Sequence, residues 1–209
     1  MQTIMMDVDG VLVTGRPADG AHLFTDLEAD LGMNLATLQR EFFAPRWPAI
    51  VTGQKDLLPE LAEVLAGIAP DVPAQTLIDY WFENDSRLDH AVLDGMAVLR
   101  AAGHRVYLAT NQEHLRASYL METLGLAAHV DGIFYSAAIG HRKPSPEFYD
   151  HIGRSLGTAP QQITLVDDTE QNVLAARAAG WVAVHWQAGM SLIPALAANA
   201  SNVTTPPET

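Results

Sequence analysis

Apolar residues along this chain fall into two kinds of stretch. Short continuous runs read as strands buried on both faces: one near residues 3 to 8 around Ile4-Met5-Met6, then Val106-Tyr107-Leu108-Ala109, Ile133-Phe134-Tyr135, Ile163-Thr164-Leu165-Val166, and Trp181 to Trp186. Other segments space apolar residues three and four apart and read as helices, with Val92 to Ala102, His114 to Leu124 and Thr169 to Ala179 each closing at a glycine. From Leu93 onward the two kinds alternate. Such alternation needs right-handed crossovers, so it predicts a parallel sheet with helices on both faces. Between the first strand and residue 104 no strand signal recurs. There Ala21 to Gly32, Leu35 to Phe43, Leu57 to Ala66 and Pro73 to Asn84 carry helical spacings, interrupted by Pro45, Pro48, Gly53 and Pro70. The expected organisation is a core of residues 1–14 and 89–190, a helical cap of residues 15–88 inserted after the first strand, and an Ala- and Ser-rich tail of residues 191–209 that frays toward its end.

Polar residues cluster where the apolar runs stop. Asp7 and Asp9 with Gly10 follow the first run, Thr110 and Asn111 follow the second, and Lys143 stands in Gly140-His141-Arg142-Lys143-Pro144-Ser145-Pro146 after the third. Asp167 and Asp168 close the fourth. Each has a plain alternative: a polar turn for Asp7 to Gly10, a helix cap for Thr110-Asn111, a solvated charge for Lys143, a helix start for Asp167-Asp168. In an open parallel sheet, however, the carboxyl ends of the strands form one rim, and ligands bind in its crevice. Burying an unpaired carboxylate costs several kcal/mol, so acids gathered on a rim call for a cation or a wet cleft. Four acids, a hydroxyl, an amide and one lysine suit a magnesium ion that handles a phosphoryl group, since magnesium takes hard oxygen ligands. No imidazole or thiolate set has zinc-like spacing.

The ordered quartet resembles the signature blocks of the haloacid dehalogenase superfamily of hydrolases, over about residues 3 to 187. Within it, the long helical insert and the Arg-Lys-Pro-x-Pro third block look most like the subgroup with a small helical cap, which includes sugar-phosphate phosphatases similar to glucose-1-phosphate phosphatase. The resemblance implies a three-layer Rossmann-like α/β core and magnesium-dependent hydrolysis of a small phosphate monoester, sugar phosphate favoured. Asp7 would be the nucleophile that forms an aspartyl phosphate, and Asp9 the general acid and then base. Thr110, Asn111 and Lys143 would hold the phosphoryl oxygens. The metal would be held by Asp7, Asp9 through its main-chain carbonyl, and Asp168, with Asp167 as the second candidate in the fourth block, to which Asn172 also belongs. The relatives that break carbon–halogen bonds lack an acid at the Asp9 position, which favours phosphoryl transfer. A sugar phosphomutase keeps both acids and is the alternative, ahead of a dehalogenase or a non-catalytic binding module.

Composition narrows the partners. The 209 residues carry a formal charge of -13, which repels nucleic acid and anionic lipid and leaves a small phosphorylated metabolite as the expected partner. No cysteine is present, no apolar run reaches a membrane-spanning length, and no leader pattern stands at the N-terminus, so the expected location is cytoplasmic. Substrate choice is expected from the cap. Arg46 and Lys55 are the candidate substrate-binding cations, with His22 and Trp47 also in view; Trp81 reads as core, and His141 and Arg142 flank Lys143.

Overall fold

The computed structural model describes residues 1–202, the side chains of 199–202 excepted. Strands β1 (Thr3–Met6), β2 (Arg105–Thr110), β3 (Ile133–Tyr135), β4 (Ile163–Asp167) and β5 (Val182–His185) form one all-parallel sheet in the order β3-β2-β1-β4-β5. The chain leaves β1 in one direction through β2 and β3, then crosses back to lay β4 and β5 on the other side. That reversal opens a crevice at the carboxyl ends of β2, β1 and β4.

Alternation along each strand feeds two layers. Ile4 and Met6 join Val106, Leu108 and Val166 in a cluster closed by Val92, Met96 and Leu120. Met5 joins Ala109, Leu165 and Ala183 on the opposite face, against Phe148, Tyr149, Ile152 and Val173. Helices α6 (His90–Ala101), α7 (His114–Ser118), α8 (Ser136–Ile139), α9 (Pro146–Leu156), α10 (Glu170–Ala178) and α11 (Leu192–Asn202) follow the cap helices α1 (Leu27–Leu31), α2 (Leu35–Leu38), α3 (Ala44–Ile50), α4 (Leu57–Ile68) and α5 (Ala74–Asn84). The insert has its own apolar cluster, built from Leu27, Leu38, Phe42, Ile50, Leu57, Leu61, Leu77 and Trp81.

Three elements differ from the sequence expectation. Pro45 and Pro48 do not end the second cap helix: a π-helical turn over Gln39–Phe43, in which Ala44 N–H reaches back to Gln39 O, leads straight into α3. A proline inside a helix costs about 3 kcal/mol, and the burial of Phe42 and Ile50 on either side offsets it. Of the stretch Ala21 to Gly32, only Leu27–Leu31 is helical, because Arg16 pairs with both Asp19 and Asp26 and draws the chain into a turn. In the tail, where the sequence analysis assigned no element, residues Leu192–Asn202 form α11, and Leu192 is buried in the first core cluster over Gly95. The final stretch expected to fray, residues 203–209, lies outside the described residues.

The cap is joined to the core by two strands of chain lying side by side. Val13 pairs antiparallel with Leu88, Thr14 N–H donates to Arg87 O at 3.0 Å and Arg87 N–H to Gly15 O at 3.1 Å. Further along, cap residue Gly53 takes φ +70° and sits so close to the core that a Cβ there would lie 2.3 Å from Ala137 O. Among the described residues no helix is long and apolar enough to cross a membrane.

Because Leu192 fills a gap that the surrounding helices leave, Leu192→Ala is expected to lower unfolding free energy by about 2–4 kcal/mol in urea titration. A change under about 0.5 kcal/mol, the range of an ordinary surface substitution, would show that α11 adds nothing to the core.

Candidate active site

The site starts where β1 stops. Asp7 N–H donates to Val166 O at 2.9 Å, which extends the ladder by one residue and fixes the Asp7 backbone beside β4. The next turn is tight: Val8 O accepts from Val11, Leu12 and Val13, so the chain doubles back and leaves Asp9 open to solvent at the rim. Gly10 lies in that turn with φ +77°, and a Cβ on it would stand 2.1 Å from Asp168 Oδ2. Only glycine meets both demands, and it lets the β4 acid lie against the β1 loop.

Lys143 ties three distant segments together. Its ammonium is buried and reaches Asp7 Oδ1 at 2.9 Å and Asp167 Oδ2 at 2.6 Å. Burial alone would lower its pKa, but Asp7 and Asp167 more than offset that and hold it above the usual lysine value, so it stays a cation. Burial pushes the Asp7 carboxyl up to about 8, against the pull of Lys143 and with Asp167 and Asp9 adding to the rise. A second cation near Asp7 would bring it back into the ionised range. Asp7, Asp167 and Asp168 each offer a carboxylate oxygen, all within 4.8 Å of one another.

The two acids at the end of β4 divide their work. Asp167 is fully buried and its oxygens are taken by Lys143 Nζ, Asn172 Nδ2 at 3.0 and 3.2 Å, and Thr169 N–H at 2.9 Å. It serves as the counter-charge of the lysine. Asp168 is exposed, bonded only lightly by Thr169 Oγ1 at 3.2 Å, while His185 Nε2 lies 2.9 Å from its main-chain carbonyl. Its carboxylate is therefore the one free to take an ion.

On β2, Thr110 and Asn111 also differ. Among the described residues Thr110 Oγ1 is buried and has no hydrogen-bond partner, a polar atom left available at the end of β2. The Asn111 side chain is committed elsewhere: Oδ1 accepts Lys143 N–H at 2.8 Å and Nδ2 donates to Lys143 O at 3.0 Å. These bonds splint the lysine loop to β2.

Three residues that sequence reasoning passed over complete the surroundings. Gln112 Nε2 donates to Asp9 Oδ2 at 2.7 Å. Arg116, fully buried, lies beside the contacting rings of Phe82 and Tyr119, 5.2 and 5.4 Å from their centroids, and donates to Phe82 O at 3.2 Å, to Asp85 Oδ2 at 3.2 Å and to Asp85 O. Surrounding protein pushes the Asp9 carboxyl above its ordinary value, while Arg116 and then the Gln112 amide pull it down. Ser136 Oγ reaches the cap at Val51 O, 2.6 Å away, and Gln112 O at 3.1 Å. The only sequence signal for them was position, a polar residue directly after Thr-Asn and an arginine one helical turn on.

The cap residues named from sequence are not drawn into the cluster of acids. Arg46 is paired with Glu60 at 2.7 Å and Glu63 at 2.9 Å, so its charge is spent joining α3 to α4. Lys55 pairs with Glu60 at 2.7 Å but also lines a groove of about 260 Å³ with Leu57, Leu58, Glu113, His114 and Leu115, on the border of cap and core. His22 and Trp47 belong to the cap's aromatic packing, and His141 and Arg142 are exposed.

Comparison with known proteins agrees with this architecture. Residues 1–180 match the haloacid dehalogenase-like hydrolases. A sesquiterpene phosphatase of Aspergillus oryzae is 39% identical over 87 residues, 42% of this chain and 44% of that protein, so the chain spans under half the length of that relative. The plasmid phosphoglycolate phosphatase of Cupriavidus necator is 29% identical over 184 residues, covering 85% of this chain and 77% of the relative. Among solved structures, a family enzyme of Bacteroides thetaiotaomicron in complex with magnesium and inorganic phosphate superposes with a TM-score of 0.76 at 16% identity, over 91% of this chain and 96% of that one. The fold, the order of the rim residues and the match over most of the length place this chain in the haloacid dehalogenase-like hydrolase family.

Proposed function

We propose that the chain is a magnesium-dependent phosphatase that hydrolyses small phosphate monoesters through an aspartyl phosphate. The observation that carries this reading is the buried Lys143 bridging Asp7 and Asp167, with the open Asp168 carboxylate and the unpartnered Thr110 hydroxyl beside it. Magnesium would be held by Asp7, Asp168 and the Asp9 main-chain carbonyl, and would supply positive charge to the phosphoryl oxygens. The magnesium and phosphate in the Bacteroides relative support that choice.

The chain's own groups supply the rest. An Asp7 oxygen attacks phosphorus as the bond to the leaving oxygen breaks, and Asp9 gives that oxygen its proton. Water then attacks the same phosphorus, Asp9 takes the proton back, the bond to Asp7 breaks and phosphate leaves. Lys143 and the Thr110 hydroxyl stabilise the charge on the transferring oxygens. Asp9, open to solvent yet surrounded by protein, suits both directions of proton transfer.

The substrates favoured are small phosphorylated metabolites, sugar phosphates and phosphorylated short acids first, because the cap seats directly on the rim at Val51 to Gly53. The groove beside Lys55 would take the carbon skeleton. Absence of cysteine fits a cytoplasmic setting.

A screen of metabolite phosphates with purified protein and magnesium tests the reading. Turnover is expected to vanish on chelation, to return with added magnesium, and to be lost in Asp7→Asn; activity that survives chelation undiminished would remove the metal from the reaction. For Asp9→Asn, turnover should fall by roughly two to four orders of magnitude with alkyl phosphates and less with aryl phosphates, which leave without a proton. Equal loss on both would restrict Asp9 to shaping the metal site. Lys55→Ala should reorder substrates by kcat/KM while acetyl phosphate is nearly unaffected, whereas Arg46→Ala should lower the melting temperature and keep the ranking. The opposite pattern would move substrate selection to Arg46.

A further inference from the structure

The geometry points to Gln112 as the positioning residue that fixes the orientation of the Asp9 carboxylate toward the leaving oxygen, an inference that rests on the phosphatase reading above. Asp9 is exposed at the rim, and an exposed aspartate turns freely about its last side-chain torsion. A proton donor that turns freely spends little time aimed at the leaving oxygen. The Gln112 amide removes that freedom by donating to Asp9 Oδ2 at 2.7 Å.

The choice of an amide has a chemical consequence. Asp9 must alternate between acid and carboxylate, and a cation bonded directly to it would hold it ionised. An uncharged N–H donor orients the carboxylate without doing so. The bond engages Oδ2 and leaves Oδ1 outside it, so the carboxylate is held in one orientation.

Gln112 can do this because its own stem is held. The residue is 3% exposed, its carbonyl accepts Ala137 N–H and Ser136 Oγ, both at 3.1 Å, and Ser136 Oγ also reaches Val51 O in the cap. One turn later Arg116 fastens α7 to the last cap helix through Phe82 O and Asp85. The amide therefore stands at a fixed point between core and cap. Gln112 touches neither metal nor substrate in this scheme; it acts through Asp9.

The test measures kcat, KM and the magnesium concentration for half activation over a series of phosphate monoesters, from alkyl to nitrophenyl, for the native protein, Gln112→Leu, Gln112→Met and Asp9→Asn. Both Gln112 variants are expected to lose about 10–100-fold in kcat on alkyl phosphates and under about 3-fold on nitrophenyl phosphate, with KM and magnesium dependence unchanged. The ratio of alkyl to aryl turnover does not depend on the fraction of protein folded, so partial misfolding of either variant leaves the readout intact. Equal losses across the series, or no loss, would overturn the role of Gln112. If Asp9→Asn shows the leaving-group effect and the Gln112 variants do not, the phosphatase reading stands and only this inference fails. If the native protein turns over none of the esters, the phosphatase reading itself fails.

Discussion

The ion triad of Lys143 with Asp7 and Asp167 is the constraint around which the rim is arranged. An ammonium buried without partners would cost several kcal/mol, and two carboxylates beside it without a cation would cost as much again. Together they are tolerated, and each is then held in place by the others. The three residues come from the end of β1, the loop before α9 and the end of β4, so satisfying one set of charges aligns three segments far apart in the chain. Further bonds close the arrangement: Asn172 and Thr169 on Asp167, and Asn111 on the main chain of Lys143. With Asp167 saturated, the open oxygens at the rim belong to Asp168, Asp9 and the outer side of Asp7, which is where a cation and a phosphoryl group would meet.

The overall charge of -13 would repel a phosphorylated ligand at long range. A reaction on phosphate needs the local field reversed, and the structure limits that reversal to a small volume. Lys143 is the cation within the rim, Arg116 acts on Asp9 from behind, and Arg46 and Lys55 are neutralised in part by Glu60 and Glu63 inside the cap. A divalent ion among Asp7 and Asp168 would therefore be the largest positive charge a phosphoryl group meets there.

Cap and core are distinct apolar clusters, yet they touch at few and specific places. The paired linkers at Val13 and Leu88, the close approach of Gly53 to Ala137, the Ser136 hydroxyl on Val51 and the Arg116 guanidinium on Phe82 and Asp85 account for the seating described. Arg116 lies in the segment 112–116, and Ser136 and Ala137 both donate to Gln112 O, in the segment that also carries the amide on Asp9. A shift of the cap would therefore be felt at Asp9, the acid proposed to deliver the proton. Small displacements at packed contacts of this kind switch between discrete arrangements rather than deform smoothly.

The sheet, its parallel sense and the four rim blocks were legible in the sequence, because β1, β2 and β4 are short apolar runs that stop at polar residues, Lys143 follows in the loop after β3, and strand ends in a parallel sheet share one edge. Asp7, Asp9, Lys143 and the Asp167-Asp168 pair stood out from that rule. Strand-end chemistry did not rank the last two; the family resemblance put Asp168 first, and in the folded chain burial beside Lys143 separates them. Arg46 read as a candidate substrate-binding cation without its ion pairs, because its partners Glu60 and Glu63 lie on another helix, and Pro45 and Pro48 read as breaks because the burial that offsets them is tertiary. Gln112, Arg116 and Ser136 act on residues 103, 34 and 85 positions away, distances over which no local pattern carries information. Local periodicity and strand-end chemistry determined which residues line the rim; which of them hold a charge, a proton or the cap was decided by contacts that exist only once the chain is folded.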